Sequence, residues 1–354
     1  VEAVAESTAI STDPYLLAKA NAVLDAYKRH YAQFLNDIDI IAVEDEYAFE
    51  LVNPETSGAS RTFQLAGKID ARIQREGRST QTVVEHKTTT DSLDPDSDYW
   101  DRLAMDSQVS GYYLAASVIG APVENVLYDV ILRPAQRPGT IPLLDDEGKK
   151  TLRDAEGNVV TNKDGSKRQS PQAGCAFDSR PETPEEFGAR IAAIIAENPS
   201  RFFAQREIAR LDSEVIAYMR DSWALSQEIL YRRRMNIWPR NPDACTQMGG
   251  CEFFALCSNR AEVDGIRYQV KTGPTHNELS SEIQDGLELL TTSRTKALRR
   301  CARLHQLRYE QHIVSTEQES EALSFGRLIH EGLEAIYKDA AQRNFISREQ
   351  ERSE

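Results

Sequence analysis

Asp70, Glu85 and Lys87 have the side-chain types that hydrolysis of a phosphate ester needs, at a spacing that can bring them together. Asp70 lies near the end of an alternating run at 62–73 (TFQLAGKIDARI), and Glu85 and Lys87 lie two apart in the next run, 81–90 (QTVVEHKTTT). A strand has a period of two, so Glu85 and Lys87 point to the same face. Pairing across the polar turn at 75–80 brings Asp70 beside Glu85. Two carboxylates that close repel unless a cation lies between them, and such oxygen ligands suit Mg²⁺ or Mn²⁺. The lysine could then activate a water and offset charge on a phosphate. Taken singly, each piece also fits a solvated strand face. Their position after the apolar pair Val83–Val84, at a strand end, favours a site. The helix that follows carries Gln108 and Tyr112 at i, i+4, on one face; alone, Tyr112 equally reads as a core aromatic.

The cysteines are a second group with chemical potential. Cys245, Cys251 and Cys257 are each six apart (DACTQMGGCEFFALC). Zinc knuckles usually place two cysteines three apart, and that spacing is missing. Three thiols need a fourth ligand, for which Cys175, Cys301 and a histidine are candidates. Cys175 stands beside Gly174 in a turn-rich stretch and reads as incidental. A four-thiolate set suits an iron–sulfur cluster or zinc.

These residues need elements to hold them. Apolar spacing predicts a helix over 14–38, β-type runs at 39–51, 62–73 and 81–90 resembling an antiparallel meander, a helix over 99–118 and a buried strand at 123–134. Residues 135–181 carry repeated turn signals (DDEGKK, DAEGN, NKDGSK) and read as an exposed excursion of small hairpins. Its basic residues Lys149, Lys150, Lys163, Lys167 and Arg168 fit a solvated loop better than a DNA contact. Helices are expected at 184–198, 204–231, 293–309 (with Ser293 as N-cap) and 319–342, with a cysteine-bearing loop at 239–260 and a linker at 271–277.

The composition excludes several classes. The chain has 354 residues, 40% of them hydrophobic, and a net charge of −14. That is enough apolar material for a real core. No apolar run approaches the roughly 18 residues of a membrane span, and no signal segment follows the opening Val1. Five cysteines, an odd number, disfavour a secreted disulfide framework. The acidic balance excludes a protein that coats nucleic acid non-specifically. The runs Arg232–Arg234 and Arg294, Lys296, Arg299, Arg300, Arg303 and Arg308 could still form a confined basic path.

Gly67-Lys68-Ile69-Asp70, Glu85-His86-Lys87 and Gln108-x-x-x-Tyr112 resemble motifs of the PD-(D/E)xK nuclease superfamily. The match is closest to its RecB-like branch, which includes AddB nuclease domains and CRISPR-associated RecB-like exonucleases. The resemblance implies an α/β restriction-endonuclease-like core, a mixed central sheet flanked by helices, with a helical iron–sulfur region. It implies that Asp70, Glu85 and the backbone carbonyl of His86 hold a catalytic Mg²⁺ or Mn²⁺. Lys87 would act on the attacking water and scissile phosphate, and Gln108 and Tyr112 would position the strand. It also assigns Cys245, Cys251, Cys257 and Cys301 to a structural [4Fe–4S] cluster, with zinc as the lesser alternative. Phe325 to Leu333 (FGRLIHEGL) resembles the family's histidine motif and makes His330 a metal ligand or close neighbour.

In that family the single cysteine and the histidine precede the Asp and Glu-x-Lys motifs; here they follow. Reading about 285–354 before 1–280 restores the family order, which implies a circular permutation, a permuted product or one frame of a tandem array. The implied organisation is a nuclease core at 1–134, the excursion at 135–183, a helical and three-cysteine region at 184–280, and the displaced segment at 285–354. The implied activity is a metal-dependent deoxyribonuclease, an exonuclease on single-stranded DNA or DNA ends, in the cytoplasm of a prokaryotic or phage-infected cell. The alternative is an inactive DNA-binding or assembly module that keeps the fold and cluster. DNA is the expected partner, with no membrane; recombination or CRISPR-type protein partners and an oligomer are compatible with the reading.

Overall fold

The computed structural model describes residues 13–353 apart from 76, 121–122, 275–278 and 317–319. The expectations for the first residues, for position 76 of the 75–80 turn, for 275–277 of the linker and for the helix start at 319 lie outside the described residues.

Helix α1 (Pro14–His30) starts where Asp13 accepts the Tyr15 N–H and proline takes the first turn. The helix expected over 14–38 breaks at Tyr31, and short α2 (Ala32–Asp37) leads into the sheet. Strands β1 (Ile38–Val52), β2 (Ala59–Arg75) and β3 (Gln81–Thr89) form the antiparallel meander that alternation predicts. The helix expected over 99–118 is two, α3 (Asp98–Ala104) and α4 (Ser107–Val118), because Asp106 caps the second by accepting the Gln108 N–H. Strand β4 (Val123–Leu132) then runs parallel to β3.

The excursion holds β5 (Thr140–Pro142), β6 (Leu152–Arg153), β7 (Ala176–Phe177) and β8 (Ser179–Pro181), paired β5–β8 and β6–β7. Gly148 and Gly157 turn these hairpins at φ +74° and +88°, a conformation that costs glycine little. Buried Glu182 roots the excursion, accepting from the Gly139 N–H at 3.0 Å and from Arg190 at 2.7 Å. Thr183 and Glu186 form a capping box for α5 (Pro184–Glu197).

The helix expected over 204–231 is corrected: β9 (Phe203–Ile208) comes first, and α6 runs from Asp212 to Met235. β9 pairs antiparallel with β4, satisfying backbone groups that β4 would otherwise leave open at the sheet edge. Long-range pairing overrides a helical pattern there. After α7 (Phe254–Cys257) come β10 (Tyr268–Val270), β11 (Ile283–Gln284) and β12 (Leu287–Leu290). Next are α8 (Thr292–Arg300), α9 (Ala302–His305), a π-helical turn at Gln306–Glu310, β13 (Ile313–Ser315) and α10 (Glu321–Ser353). Thr291, not Ser293, caps α8, and the helix expected over 293–309 breaks at Cys301, which is extended at φ −166° and ψ 121°.

The main sheet has seven strands in the order β11-β12-β2-β3-β4-β9, with β1 along the other edge of β2. One edge of β2 is shared. β12 pairs parallel with it at 63–65, and β3 pairs antiparallel at 71–74. Between these stretches, residues 66–70 face neither strand, so the sheet forks, and both β12 and β3 run toward the fork.

Alternation divides the core between the two faces. Val84, Leu127 and Ile131 join α1, α5 and α10 on one side, while Val83, Val126 and Val130 join α3 and α4 on the other. Where α10 crosses α1, a Cβ at Gly332 would come within 2.2 Å of Leu24 Cδ1. Gly332→Ala is therefore expected to destabilise the fold by about 1–3 kcal/mol through overpacking, read as a lower urea midpoint at unchanged slope.

Candidate active site

The fork gathers the residues whose spacing suggested chemistry. Asp70 sits on its β2 side, and Glu85 is the first β3 residue beyond the last β2 pair, Ala71–Val84. The His86 backbone N–H donates to Asp70 Oδ2 at 2.7 Å, tying the two diverging strands at this point. Glu85 is 2% exposed and faces α4. Lys87, two residues on, pairs with Glu85 Oε1 and donates to Gln108 Oε1 at 3.1 Å. Gln108 Nε2 in turn donates to the Tyr112 hydroxyl at 2.7 Å, and that hydroxyl donates to Glu85 Oε2. Gln108 and Tyr112 thus close a ring of polar contacts with the carboxylate and the lysine. Tyr112 is only 1% exposed, and its hydroxyl is taken up by Glu85 and Gln108.

Gly67 makes room for this arrangement. Tyr47, its partner across the β1–β2 ladder, lies so close that a Cβ at Gly67 would come within 2.5 Å of the hydroxyl. The Gly-Lys-Ile-Asp run therefore starts with the residue that lets an aromatic ring cross the strand.

Charge is concentrated here. Burial and the neighbouring Glu85 push Asp70 up to about 7, against the pull of His86 and Lys87. Lys87 is raised as well: burial opposes its charge, but Glu85 and Asp70 hold it above its ordinary value. On the opposite face, α10 brings His330 Nδ1 to 3.8 Å from Asp70 Oδ2. Burial, His86, Lys87 and Lys68 push this imidazole down to about 3, a shift softened by the 37% of the side chain that still meets solvent. It is neutral at pH 7, the form that can ligate a metal.

One residue of this region escaped the sequence reading. Asp129 is fully buried at the centre of β4 and accepts from the Tyr27 hydroxyl, the His86 ring at 2.9 Å and Gln205 Nε2 at 3.2 Å. Tyr337 meets Tyr27 hydroxyl to hydroxyl at 3.3 Å and packs edge-on to His86 with centroids 4.9 Å apart. Burial would push His86 down, but Asp129 overcomes it and holds the imidazole above its ordinary value. The signal was an acid inside the apolar run VLYDVIL; a buried carboxylate needs donors, and the one hydroxyl beside it in sequence, on Tyr128, goes to Asp106 instead.

The cysteines meet elsewhere. Cys245, Cys251, Cys257 and Cys301 line one cavity together with Arg240 and Arg300. The Asn241 N–H approaches Cys301 Sγ at 3.3 Å, and Arg300 donates to the carbonyls of Ala244, Gln247 and Gly250, shaping the loop. Cys175 stays in the excursion, away from this cavity. Among the described residues, no three His, Cys, Asp or Glu side chains are gathered tightly enough to hold a metal ion as they stand. This applies to the four cysteines and to the Asp70, Glu85 and His330 set alike. The donor chemistry nonetheless fits: four thiols around one cavity suit a thiolate-held group, and two carboxylates with a neutral imidazole suit a divalent cation.

The basic path expected from the two arginine-rich runs is mostly neutralised. Arg233 donates to Glu288 and Glu310 at 2.6 Å each, and Arg294 to Glu288 at 2.7 Å. Burial notwithstanding, these two arginines hold Glu288 down to about 2. Arg232 pairs with Glu228, Arg308 with Glu252 and Arg299 with Asp221. Glu228 stands one turn before Arg232 on α6, whereas Arg233, Arg299 and Arg308 meet acids that fold back from other elements and that sequence distance hid.

With Asp, Glu and Lys converging at a forked mixed sheet, the comparison with known families is decisive. The PD-(D/E)XK nuclease superfamily matches residues 1–258 and 289–354, nearly the whole chain, and the protein belongs to that superfamily. Its members are nucleases that typically use divalent metals, and the mixed sheet flanked by helices is consistent with their restriction-endonuclease-like fold. No curated protein matches. Among solved structures, the crystal structure of SSO0001 is similar at 15% identity and a TM-score of 0.20, with 51% of this chain and 61% of that chain covered. No helix among the described residues is long and apolar enough to cross a membrane.

Proposed function

We infer that this chain is a metal-dependent nuclease that hydrolyses DNA phosphodiester bonds, acting as an exonuclease on single strands or DNA ends. The observation that carries this reading is the convergence of Asp70, Glu85 and Lys87 where β2 and β3 part. Asp70, Glu85, the His86 carbonyl and His330 would hold the divalent cation, Mg²⁺ or Mn²⁺. When bound, such an ion supplies Lewis acidity and lowers the pKa of a water. Lys87 donates to a non-bridging oxygen of the scissile phosphate, where negative charge grows in the transition state. Gln108 holds Lys87 in place, and Tyr112 fixes the orientation of Glu85. The test is digestion of end-labelled single-stranded DNA, free-ended or end-blocked, with Mn²⁺ or Mg²⁺. Loss of free-ended substrate alone is expected. DNA binding without cleavage under any metal would favour the inactive binding module instead.

The RecB-like reading extends to the cysteine cavity. Cys245, Cys251, Cys257 and Cys301 would hold an iron–sulfur cluster that staples α8 to the loop after α6. An anaerobic preparation is expected to be brown, with iron and sulfide, and Cys245→Ser to lose both along with thermal stability. A colourless wild type with stoichiometric zinc would replace the cluster with zinc. The permuted order is supported by the way β12 and α10 dock on the core, next to β2 and Asp70. Intact mass with terminal sequencing tests it: a product beginning near residue 285 would reject the permutation.

A further inference from the structure

The fork has two banks. β12 runs into α8 on one side, and β3 runs into α3 and α4 on the other. A side-chain contact joins the two helices at the candidate site: Lys296 Nζ on α8 lies 3.2 Å from Asp106 Oδ1, the N-cap of α4. Asp106 also accepts from the Gln108 N–H at 3.0 Å and from the Tyr128 hydroxyl at 3.0 Å. Two residues further on, Gln108 holds Lys87. Lys296 therefore stands at the helix end that anchors the lysine of the site. Its side chain is 52% exposed, whereas Arg294 is buried among acids and Arg300 is spent on backbone carbonyls.

We propose that Lys296 is a strand-binding residue at the entrance of the cleft, and that a phosphate of the incoming single strand replaces Asp106 as its partner. The proposal rests on the nuclease reading and adds a residue to its substrate path. The physical basis is competition. Lys296 is half-exposed and Asp106 14% exposed; an ion pair whose lysine still meets water is modestly held, Asp106 keeps two other donors when the lysine leaves, and a phosphodiester backbone offers Lys296 a comparable anion with the added gain of released counterions. Asp106 keeps its other duties throughout, because the Gln108 N–H and Tyr128 hydroxyl remain bound to it.

The test uses the full chain and a fluorescein-labelled single-stranded oligodeoxynucleotide, with EDTA present so that nothing is cut. Anisotropy is read across a salt series. Lys296→Ala is expected to weaken binding several-fold and to reduce the slope of log K against log salt by about 0.7, the value for one phosphate contact on a single strand. Lys296→Arg is expected to restore both. Asp106→Asn keeps a good N-cap and removes the competing charge, so it is expected to tighten binding, an effect opposite in sign to that of simple structural damage. Unchanged slope in Lys296→Ala, or weaker binding in Asp106→Asn, overturns the proposal while wild-type binding stands. A wild-type chain that neither binds nor cleaves DNA overturns the nuclease reading itself.

Discussion

Lys87→Ala will remove cleavage while leaving the chain folded, with the single-turnover rate on labelled single-stranded DNA falling by about 10²–10⁴-fold. Among the described residues, the lysine is the cation that touches both Glu85 and the helix carrying Gln108. Without it the ring has no cation to offer a non-bridging phosphate oxygen, only the neutral donors of Gln108 and Tyr112. Glu85 also loses its counter-ion but keeps the Tyr112 hydroxyl, so the structural cost should be modest. A thermal melt within a few degrees of wild type, alongside the lost rate, separates chemistry from unfolding. Cleavage at the wild-type rate would reject the role given to Lys87.

Asp129→Ala is expected to have the largest effect on stability, about 3–5 kcal/mol, seen as a lower urea midpoint. Three donors converge on this fully buried carboxylate from α1, β3 and β9. Truncation leaves the Tyr27 hydroxyl, the His86 ring and the Gln205 amide without their acceptor, and buried groups so stranded are costly. Asp129→Asn should cost less, since one amide oxygen can still accept while its NH₂ faces a donor. The loss should also loosen His86, whose N–H fixes Asp70. A midpoint within about 0.5 kcal/mol of wild type in Asp129→Ala, the scatter of neutral surface changes, would show that the network bears no weight.

The legible part of the site is the part governed by local rules. Period-two alternation placed Glu85 and Lys87 on one face, and a turn between two alternating runs placed Asp70 opposite Glu85. Helical spacing put Gln108 and Tyr112 on one face. His330 was within reach only through resemblance to a family, because it lies more than 200 residues from the Asp70 motif it approaches, a separation no periodicity spans, and the same resemblance singled out Cys301 among the candidates for a fourth thiol. The misreadings have the same origin. Phe203–Ile208 has helical apolar spacing but completes the sheet beside β4. The arginine-rich α8 looked like a free basic face until Glu288 and Glu310 folded against it.

By itself the sequence determined which chemistry is available: two carboxylates and a lysine at strand spacing, and a cysteine set outside any disulfide pattern. Tertiary structure alone decided where those groups gather. The fork exists because β12, more than 200 residues from β2 in the chain, pairs with one end of the edge that β3 leaves free. It also decided that Tyr112 meets Glu85 from inside the core, that Asp129 ties helix to strand, and that Lys296 stays half-exposed while Arg294 is buried. Local periodicity is set by backbone geometry and can be read from neighbouring residues. Charge neutralisation and burial depend on which distant elements meet, and those contacts exist only once the chain has folded.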